Sequence, residues 1–539
     1  MTGGEAVIRS LEINNISTIF GIPGSHNLSI YNAISRSNKI KHILCRHEQG
    51  AVLMADGYSR ASGKIAVCLT TTGPASLNTL SGVGTSYTDS IPILIISSQN
   101  PTFLLGKEKG LIHELSEQVN FFKNITTIST LVDDFKKIPE IIGNTITEML
   151  KGRNRPGYIE IPYNILETID ELVINEPIKY IGNQKIHNSY QNAINLINSS
   201  KKPIILSGGG VISSNASYEL LNLSKKIDAP VFTTVLGKGS VSDHYRLSAG
   251  SLILHPEGKK LLEDSDLLIA VGTRFTEEET ESWSLKLPEK FLHIDIDKNE
   301  IGKNYTPTDY IIGDAKIVLQ SINAKIIPKT NINISNDIKK MKNAIRQHCI
   351  EVAPSGITLV DSIRKGISDD SILVSDLTLA AYWCRRFIDV YKPRTNLYPW
   401  GFGTLGYSLP AAIGAKCASP NKPVIAIMGD GGFMFNSQEI LTSIQENFPI
   451  IILIFNDNSY GVLKFQQESL YGNNIGVNLN NPDFVKMGES YGIYSERVNS
   501  FSTLEKSLTN VINKNKTCLI EITEPVPWPV MHPTPVNND

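Results

Sequence analysis

Several features are scarce in this 539-residue sequence. It has six cysteines with no C-x-x-C pair, at positions 45, 68, 349, 384, 417 and 518, so we predict neither a disulfide framework nor a zinc site. The longest apolar run, residues 448–455, is too short to span a membrane and predicts a buried parallel strand. The first residues lack the basic start and apolar stretch of a signal peptide, so we expect a cytoplasmic protein.

The sequence also lacks a surplus of charge of either sign. Its formal net charge is -2 and 19% of its residues are charged, so we expect no nucleic acid and no membrane as a partner. The hydrophobic fraction, 41%, is that of an ordinary globular protein. A chain of this length is too long for one core and predicts about three domains of roughly 150 to 200 residues.

Short β-branched runs alternate with amphipathic segments of helical length, which predicts an α/β fold of doubly wound parallel sheets. They form three clusters, and we predict domains at 1–165, 189–325 and 355–539. Polar stretches at 165–188 and 326–338 are the predicted connections, and a proline-rich tail from 525 is predicted to be extended. The predicted strands are 65–69, 91–97, 203–206, 230–234, 267–271, 291–296, 372–375, 424–428, 450–455 and 518–522.

A glycine-rich turn follows the predicted strand 424–428 and precedes a predicted helix, 433–445, with Glu439 on its polar face. Glycines and helix-start amides are suited to a phosphate, but the turn also contains Asp430, which would repel a phosphate unless a cation lay between them. A second acidic turn, containing Asp457, follows the strand 450–455. Both turns lie at carboxyl ends of parallel strands, and Mg²⁺ typically takes only a couple of its about six oxygens from protein.

This pair of turns resembles the thiamine diphosphate motif of acetolactate synthases and pyruvate decarboxylase-like enzymes. The resemblance implies that Mg²⁺ is bound by the side chains of Asp430 and Asp457 and by the backbone carbonyl of Ser459. Many family members carry Asn at position 457, but Asp is still an oxygen ligand. Further coenzyme contacts are implied for Gly429, Gly431, Gly432 and Tyr460.

Glu48 taken alone is only an acid in the first turn of a predicted helix, 52–62. However, the sequences at 46–50, 55–60, 71–78 and 87–92 resemble the N-terminal domain of acetolactate synthase-type enzymes. The resemblance implies that Glu48 is catalytic: it would hydrogen-bond a ring nitrogen of the coenzyme's aminopyrimidine and so activate the coenzyme. It also implies coenzyme contacts from Pro23, Gly73 and Asn78.

The family places this glutamate and the diphosphate site on different subunits, so a homodimer is the minimum active unit, and we expect a homotetramer. The segment 400–415 resembles the family's loop and helix beneath the coenzyme and adds Gly403 and Leu405 to the expected contacts. Leu405 would support a bent form of the coenzyme; the alternative is a core leucine. By the same resemblance, the three domains are pyrimidine-binding, central Rossmann-like and diphosphate-binding.

The substrate loops depart from the acetolactate synthase pattern. His26 stands where those enzymes have a small residue, His113 where they have glutamine, and Gln466 where many have tryptophan. These residues resemble instead decarboxylases of longer or cationic 2-oxo acids such as 5-guanidino-2-oxopentanoate. We expect His26 and His113 to be catalytic, as proton donors or acceptors, against the alternative of structural loop histidines. Acids at 114 or 117 could pair with a guanidinium or simply belong to an exposed loop.

The middle domain lacks the G-x-G-x-x-G fingerprint of dinucleotide binding. In acetolactate synthases a corresponding domain holds FAD, but two of its elements differ here, at 252–255 and 274–277, which puts FAD binding in doubt. The expected function is decarboxylation of a small-molecule 2-oxo acid with thiamine diphosphate and Mg²⁺, with or without carboligation. The alternatives are acetolactate synthesis from pyruvate, a non-catalytic scaffold, and a nicotinamide oxidoreductase.

Overall fold

The computed structural model describes residues 1–174, 190–330 and 333–530. Within them lie three six-stranded sheets whose described strand pairs are parallel, with α-helices between most successive strands. This confirms the predicted α/β fold class of three doubly wound parallel sheets. The chain divides by its contacts into two compact units, which comprise residues 1–174, 399–426 and 433–450, and residues 190–398, 427–432 and 451–530.

The first sheet has the strand order β2-β1-β3-β4-β6-β5. Its central strands are buried from end to end because helices cover both faces of a parallel sheet. The strands are β1 Thr18–Gly21, β2 Lys41–Leu44, β3 Ala66–Thr70, β4 Ile93–Gln99, β5 Ile128–Leu131 and β6 Gly157–Pro162.

The second sheet has the order β12-β11-β10-β7-β8-β9, and the third has the order β14-β13-β15-β16-β18-β17. The strands of the second are β7 Pro203–Ser207, β8 Val231–Thr233, β9 Ser248–Gly250, β10 Leu267–Val271, β11 Phe291–Asp295 and β12 Asp309–Ile312. The strands of the third are β13 Ile372–Ser375, β14 Asn396–Leu397, β15 Val424–Gly429, β16 Ile451–Phe455, β17 Tyr494–Val498 and β18 Cys518–Ile522.

The described residues form 21 α-helices. In chain order they are α1 Gly3–Ile13, α2 Leu28–Ile34, α3 Glu48–Ser62, α4 Pro74–Leu77, α5 Leu80–Asp89, α6 Ile138–Leu150, α7 Tyr163–Glu167, α8 Tyr190–Ser199, α9 Gly209–Ser213, α10 Ser217–Ile227, α11 Pro256–Glu263, α12 Ala315–Asn323, α13 Ile334–Val352, α14 Pro354–Gly366, α15 Leu379–Phe387, α16 Ser408–Ala418, α17 Asp430–Asn436, α18 Ile440–Gln445, α19 Gly461–Tyr471, α20 Phe484–Ser490 and α21 Phe501–Asn513.

The predicted strands are found within about two residues of their predicted ends, and 267–271, 372–375 and 518–522 agree residue for residue. Two predictions are wrong. The helix predicted at 433–445 begins at Asp430, and a 3-10 turn, Ser437–Glu439, divides it into α17 and α18. The predicted connection 326–338 overlaps α13, because Ile334 and Ile338 occur at helical spacing and are buried. Most of the other connection, and residues 531–539 of the tail, lie outside the described residues.

None of the described helices is long and apolar enough to cross a membrane. The six cysteines are unpaired, five of them are buried, and no disulfide is formed, as predicted. Burial raises the pKa of Cys384 to about 12, so this thiol stays protonated at neutral pH.

Helices α3 and α16 pack closely in the first unit because glycines face backbone atoms across the contact. A Cβ on Gly57 would lie 2.1 Å from the carbonyl oxygen of Ala411, and one on Gly414 would lie 1.9 Å from that of Met54. No side chain could be accommodated at either position without moving a helix.

A buried ionic network lies at this helix contact. Arg60 of α3 pairs with Asp56, at 2.6 Å, and with Asp89 of α5, at 2.9 Å. The Tyr407 hydroxyl donates to Asp56 at 2.7 Å, and the backbone amide of Trp400 donates to Asp89 at 2.9 Å. Burial raises the pKa of Asp89, and the ion pair with Arg60 opposes that shift. The network ties the 400–407 segment to α3 and α5.

We expect Arg60→Leu to destabilise the protein by about 3–5 kcal/mol, because it leaves two buried carboxylates without their cation. The midpoint of thermal unfolding measures this. The loss should be smaller at acidic pH, where a carboxyl with a raised pKa takes up a proton and needs no cation. Arg36→Leu is the matched control: Arg36 pairs with Glu5 at 2.9 Å but is 53% exposed, so the change should cost less than about 1 kcal/mol. Equal losses for the two variants would contradict the prediction.

Candidate active site

Glu48 is the first residue of α3, so this helix begins four residues before the predicted helix, 52–62, and Glu48 lies in its first turn as expected. His47 caps the helix, and its Nδ1 atom accepts a hydrogen bond from the amide of Gln49 at 3.1 Å. The Glu48 carboxylate is half-buried and accepts a hydrogen bond at 3.0 Å from the Asn78 side-chain amide, which lies beyond α4. The fold therefore brings together two predicted site residues that are 30 positions apart.

Glu439 positions the backbone just before Glu48, a role that the sequence prediction missed. Its carboxylate is buried and accepts hydrogen bonds from the amides of Arg46, at 3.1 Å, and His47, at 3.0 Å. The hydroxyl of Thr442 donates to the same group at 2.6 Å. The prediction of a solvent-facing Glu439 is wrong because it assumed one continuous helix, whereas the 3-10 turn rotates this residue inward.

His26 and His113 lie close together in the first unit. His26 is in a 3-10 turn, Ser25–Asn27, after β1, and its ring centroid is 5.8 Å from that of His113. The ring of Tyr163 lies at 5.0 Å on another side of His26. The Nδ1 atom of His26 is 2.8 Å from the hydroxyl of Thr72. Burial is the main cause that lowers the pKa of His26, and the nearby His113 adds to it, so the imidazole is neutral at physiological pH.

Gln118 is a buried residue of this region that the sequence analysis did not identify. Its side-chain oxygen accepts a hydrogen bond from the amide of Gly73 at 2.6 Å. Its side-chain nitrogen donates to the hydroxyl of Tyr158 at 2.8 Å and to Glu160 at 3.2 Å. Glu160 is a charged residue in the otherwise apolar strand β6, and this feature of the sequence could have indicated a buried polar network. The network holds the backbone of Gly73. An added Cβ at this position would lie 2.9 Å from the carbonyl oxygen of His113.

The two acids considered for a guanidinium differ in their surroundings. The Glu114 carboxylate accepts hydrogen bonds from the amides of Lys109, Gly110 and Leu111, at 3.1, 2.7 and 3.0 Å, and these contacts lower its pKa. Glu114 therefore holds its own loop. Glu117 is exposed and bonds to the side-chain amide of Asn120.

The remaining predicted residues of the first unit lie on two loops. Gly403 has a positive φ of 68° and is exposed, and Leu405 is half-buried. Between them, the Thr404 hydroxyl lies 2.7 Å from that of Thr85. Pro23 is exposed on the loop that follows β1.

In the second unit, Asp430 begins α17 directly after β15. Asn481 donates from its side-chain nitrogen to Asp430 at 2.5 Å and to the side-chain oxygen of Asn456 at 3.1 Å. The fold therefore links the two predicted acidic turns through Asn481, which the sequence analysis did not identify. Asparagines stand at positions 478, 480 and 481 before α20, and nothing in the sequence marks the third of them for this role.

The second acidic turn is held by its own backbone. One oxygen of Asp457 accepts from the amide of Ser459, at 3.0 Å, and from its hydroxyl, at 2.9 Å. The amide of Tyr460, the next residue, donates to the carbonyl oxygen of Val477 at 2.8 Å. The Tyr460 ring lies against Gly431, where a Cβ would come within 2.6 Å of it. Gly429 and Gly432 lie on the same turn, and Gln466 is half-buried on α19.

The electrostatics of these turns suit a divalent cation. Burial raises the pKa of Asp430 to about 6, and the nearby charge of Asp457 contributes to the shift. Burial likewise raises the pKa of Asp457. The described residues contain no group of three or more His, Cys, Asp or Glu side chains that would hold a metal without other ligands. Two neighbouring carboxylates fit Mg²⁺ that draws its remaining oxygens from other oxygen donors, such as a diphosphate and water.

Comparison with protein families gives three matches that together cover most of the chain. Residues 1–122 match "Thiamine pyrophosphate enzyme, N-terminal TPP binding domain", and residues 190–322 match the central domain of the same enzymes. Residues 376–522 match the "C-terminal TPP binding domain". Thiamine pyrophosphate is another name for thiamine diphosphate.

Named relatives resemble the chain over nearly its whole length. A "Probable acetolactate synthase large subunit" of Methanococcus aeolicus is 36% identical over 97% of this chain and 92% of its own length. A protein of the same name from Methanocaldococcus jannaschii is 34% identical over the same shares. A "Probable 2-ketoarginine decarboxylase AruI" of Pseudomonas aeruginosa is 32% identical over 97% of this chain and 94% of its own length. The chain therefore belongs to the thiamine diphosphate-dependent enzymes of the acetolactate synthase and 2-oxo acid decarboxylase family.

Proposed function

We propose that this enzyme decarboxylates a 2-oxo acid longer than pyruvate, with thiamine diphosphate and Mg²⁺ as cofactors. The observation that carries this proposal is the pair His26 and His113, whose rings lie 5.8 Å apart at the end of the first sheet. The two imidazoles can hold or move a proton where the acetolactate synthase pattern has a small residue and a glutamine.

Each cofactor has proposed protein ligands. The side chains of Asp430 and Asp457 and the carbonyl of Ser459 bind Mg²⁺, and Asn481 orients Asp430. Glu48, held by Asn78, receives the aminopyrimidine ring. The other proposed contacts of the coenzyme are Pro23, Gly73, Gly403, Leu405, Gly429, Gly431, Gly432 and Tyr460.

When bound, thiamine diphosphate supplies an electron sink that lets carbon dioxide leave a 2-oxo acid. The chain's own residues place and protonate the reacting groups. With the coenzyme bound, Glu48 would share a proton with a nitrogen of the aminopyrimidine ring. His26, neutral because its pKa is lowered, donates a hydrogen bond to the substrate oxygen, and His113 is the neighbouring proton carrier.

A cationic 2-oxo acid, such as one with a guanidino group, is the proposed substrate class. Glu117 is the less engaged of the two candidate acids, because its carboxylate accepts from the side-chain amide of Asn120, whereas that of Glu114 accepts from three backbone amides. The relative named as a 2-ketoarginine decarboxylase supports this choice. Acetolactate synthesis, with carboligation after decarboxylation, is the second candidate, and the two archaeal relatives of that name favour it.

FAD is not part of the proposed function. Open α/β sheets bind nucleotides at the carboxyl ends of their strands. Just beyond the end of β8, the carboxylate of Glu279 accepts a hydrogen bond from the amide of Val235 at 2.9 Å. This carboxylate occupies a backbone donor at the end of the strand, which together with the differing elements at 252–255 and 274–277 argues against FAD in this domain.

The assembly and location are also proposals. A homodimer is the proposed minimum active unit, with dimers pairing into a homotetramer, and the proposed location is the cytoplasm. The proposed domains are 1–165, 189–325 and 355–539. The three sheets, at 18–162, 203–312 and 372–522, fit within these limits.

The preferred substrate can be tested directly. With thiamine diphosphate and Mg²⁺ we expect carbon dioxide release from 5-guanidino-2-oxopentanoate, with an aldehyde product, at a higher kcat/KM than from pyruvate. The assay should compare pyruvate, 2-oxobutyrate, branched, aromatic and guanidino acids, with products identified by mass spectrometry. Acetolactate from pyruvate as the main product would favour the second candidate, and no turnover of any acid would contradict both.

We expect Glu48→Gln to lower kcat by about 10²- to 10⁴-fold while thiamine diphosphate still binds. The amide can keep the hydrogen bond from Asn78 but cannot share a proton with the coenzyme. Turnover at saturating coenzyme and calorimetric titration of thiamine diphosphate separate the two effects. Glu140→Gln, at an exposed position on α6, is the control, and a kcat for Glu48→Gln equal to that of the parent would refute the role.

We expect Asp430→Ala to abolish Mg²⁺-dependent coenzyme binding. In the parent, Mg²⁺ affinity should fall as the pH decreases from 7 to 5, because the metal needs the ionised carboxylate and protons compete for it below about pH 6. Asp430→Asn should bind Mg²⁺ more weakly and with less dependence on pH. Titrations of Mg²⁺ at several pH values test this, with the exposed Glu489→Ala as control. Unchanged affinity in Asp430→Ala would contradict the metal assignment.

A further inference from the structure

A chain of three hydroxyl groups leads from His26 into the interior of the first unit. The hydroxyl of Thr72 lies 2.8 Å from His26 Nδ1 and 3.1 Å from the hydroxyl of Ser98. Ser98 in turn lies 3.3 Å from the hydroxyl of Thr71. Thr72 and Ser98 are fully buried, so water does not compete for these contacts.

The backbone fixes this chain in place. Thr71 and Thr72 follow β3 directly, and Ser98 lies in the neighbouring parallel strand β4. The His26 loop closes over them at Gly24, where a Cβ would lie 2.5 Å from the Cβ of Thr71. Only glycine permits this approach, so the positions of His26 and Thr72 are set by the packing of the loop on the strand end.

The other groups that face His26 leave its tautomer open. His113 and Tyr163 contact the ring, at centroid distances of 5.8 and 5.0 Å. Glu167 is the one nearby acid that favours the charged form of His26, against burial and the effect of His113. A neutral imidazole carries a single N–H, so either Nδ1 or Nε2 is protonated, and its hydrogen-bond partners decide which.

The donor that each direction leaves over favours one of them. If Thr71 donates to Ser98, Ser98 to Thr72 and Thr72 to Nδ1, three hydrogen bonds form and the donor left over is Nε2–H. In the opposite direction three hydrogen bonds also form, and the donor left over is the hydroxyl of Thr71, which lies against Gly24 of the His26 loop. The first direction leaves its spare donor on the imidazole ring, where a substrate oxygen can accept it, rather than beneath the loop.

We infer that Thr72, supported by Ser98, is a positioning residue that holds His26 as the Nε2-protonated tautomer. The ring nitrogen that is not bound to Thr72 is then a hydrogen-bond donor rather than a base. Thr72 acts only through His26 and touches no reacting atom. The inference deepens the proposed function, on which the catalytic meaning of His26 rests, but the tautomer itself exists without turnover.

The test that needs no turnover is nitrogen-15 solid-state NMR of the full-length protein labelled at its histidine rings, with the His26 signals assigned by their loss in His26→Leu. We expect a protonated Nε2 and an unprotonated Nδ1 near neutral pH in the parent and in Thr72→Ser, which keeps the hydroxyl. Thr72→Val, of nearly equal shape, should give a mixture of tautomers. A protonated Nδ1 in the parent, or an unchanged spectrum in Thr72→Val, would overturn the inference.

Kinetics supply a second, independent measurement. We expect Thr72→Val to lower kcat about tenfold, with KM changed less, and Thr72→Ser to restore it. In a His26→Leu background Thr72→Val should have no further effect, because the group on which it acts is gone. An equal loss in both backgrounds would show a merely structural role. If Thr72→Val does not fold, Ser98→Ala can replace it in both measurements, because it removes one hydroxyl from the row of hydrogen bonds that leads to His26. An enzyme silent with every acid would refute the proposed function, while the NMR result would still decide the inference.

Discussion

The close contact between α3 and α16 is the constraint on which the first unit depends. Gly57 and Gly414 let the two backbones approach to a distance that no side chain allows, and the ionic network of Asp56, Arg60 and Asp89 lies beside them. Because α3 begins at Glu48, this packing fixes where its carboxylate lies. The buried carboxylate of Glu439 adds a second restraint by holding the two amides before it. Backbone contacts thus position Glu48, and the hydrogen bond from Asn78 then holds its carboxylate.

The polar groups of both units follow one physical rule. They lie at the carboxyl ends of parallel strands, where loops converge and the sheet's own hydrogen bonding ends. There the fold buries groups that would be costly alone and gives each a partner: Asn78 for Glu48, Thr72 for His26 and Asn481 for Asp430. Burial lowers the pKa of His26, so its imidazole stays neutral. Burial raises the pKa of Asp430, because its ionised carboxylate is unfavourable there without a cation beside it.

The sequence was a good guide wherever a local pattern carried the information. The buried strands could be predicted because continuous β-branched runs have few other folded states, and β10, β13 and β18 were predicted residue for residue. Glu48 at a helix start and the two acidic turns after β15 and β16 were also readable, because each lies within a contiguous motif. Glu439 was misplaced because a periodicity argument cannot detect a single 3-10 turn within a helix.

By itself the sequence determined the fold class, the family and the chemical types of the candidate site residues, since these depend on short-range patterns. Only the tertiary structure decided which side chains meet. Asn481, Gln118 and Thr72 carry no local signal, yet they are hydrogen-bonded to Asp430, Gly73 and His26 across 51, 45 and 46 positions. Their role depends on which strand ends adjoin, and strand order is set by the packing of whole helices and sheets rather than by any one segment.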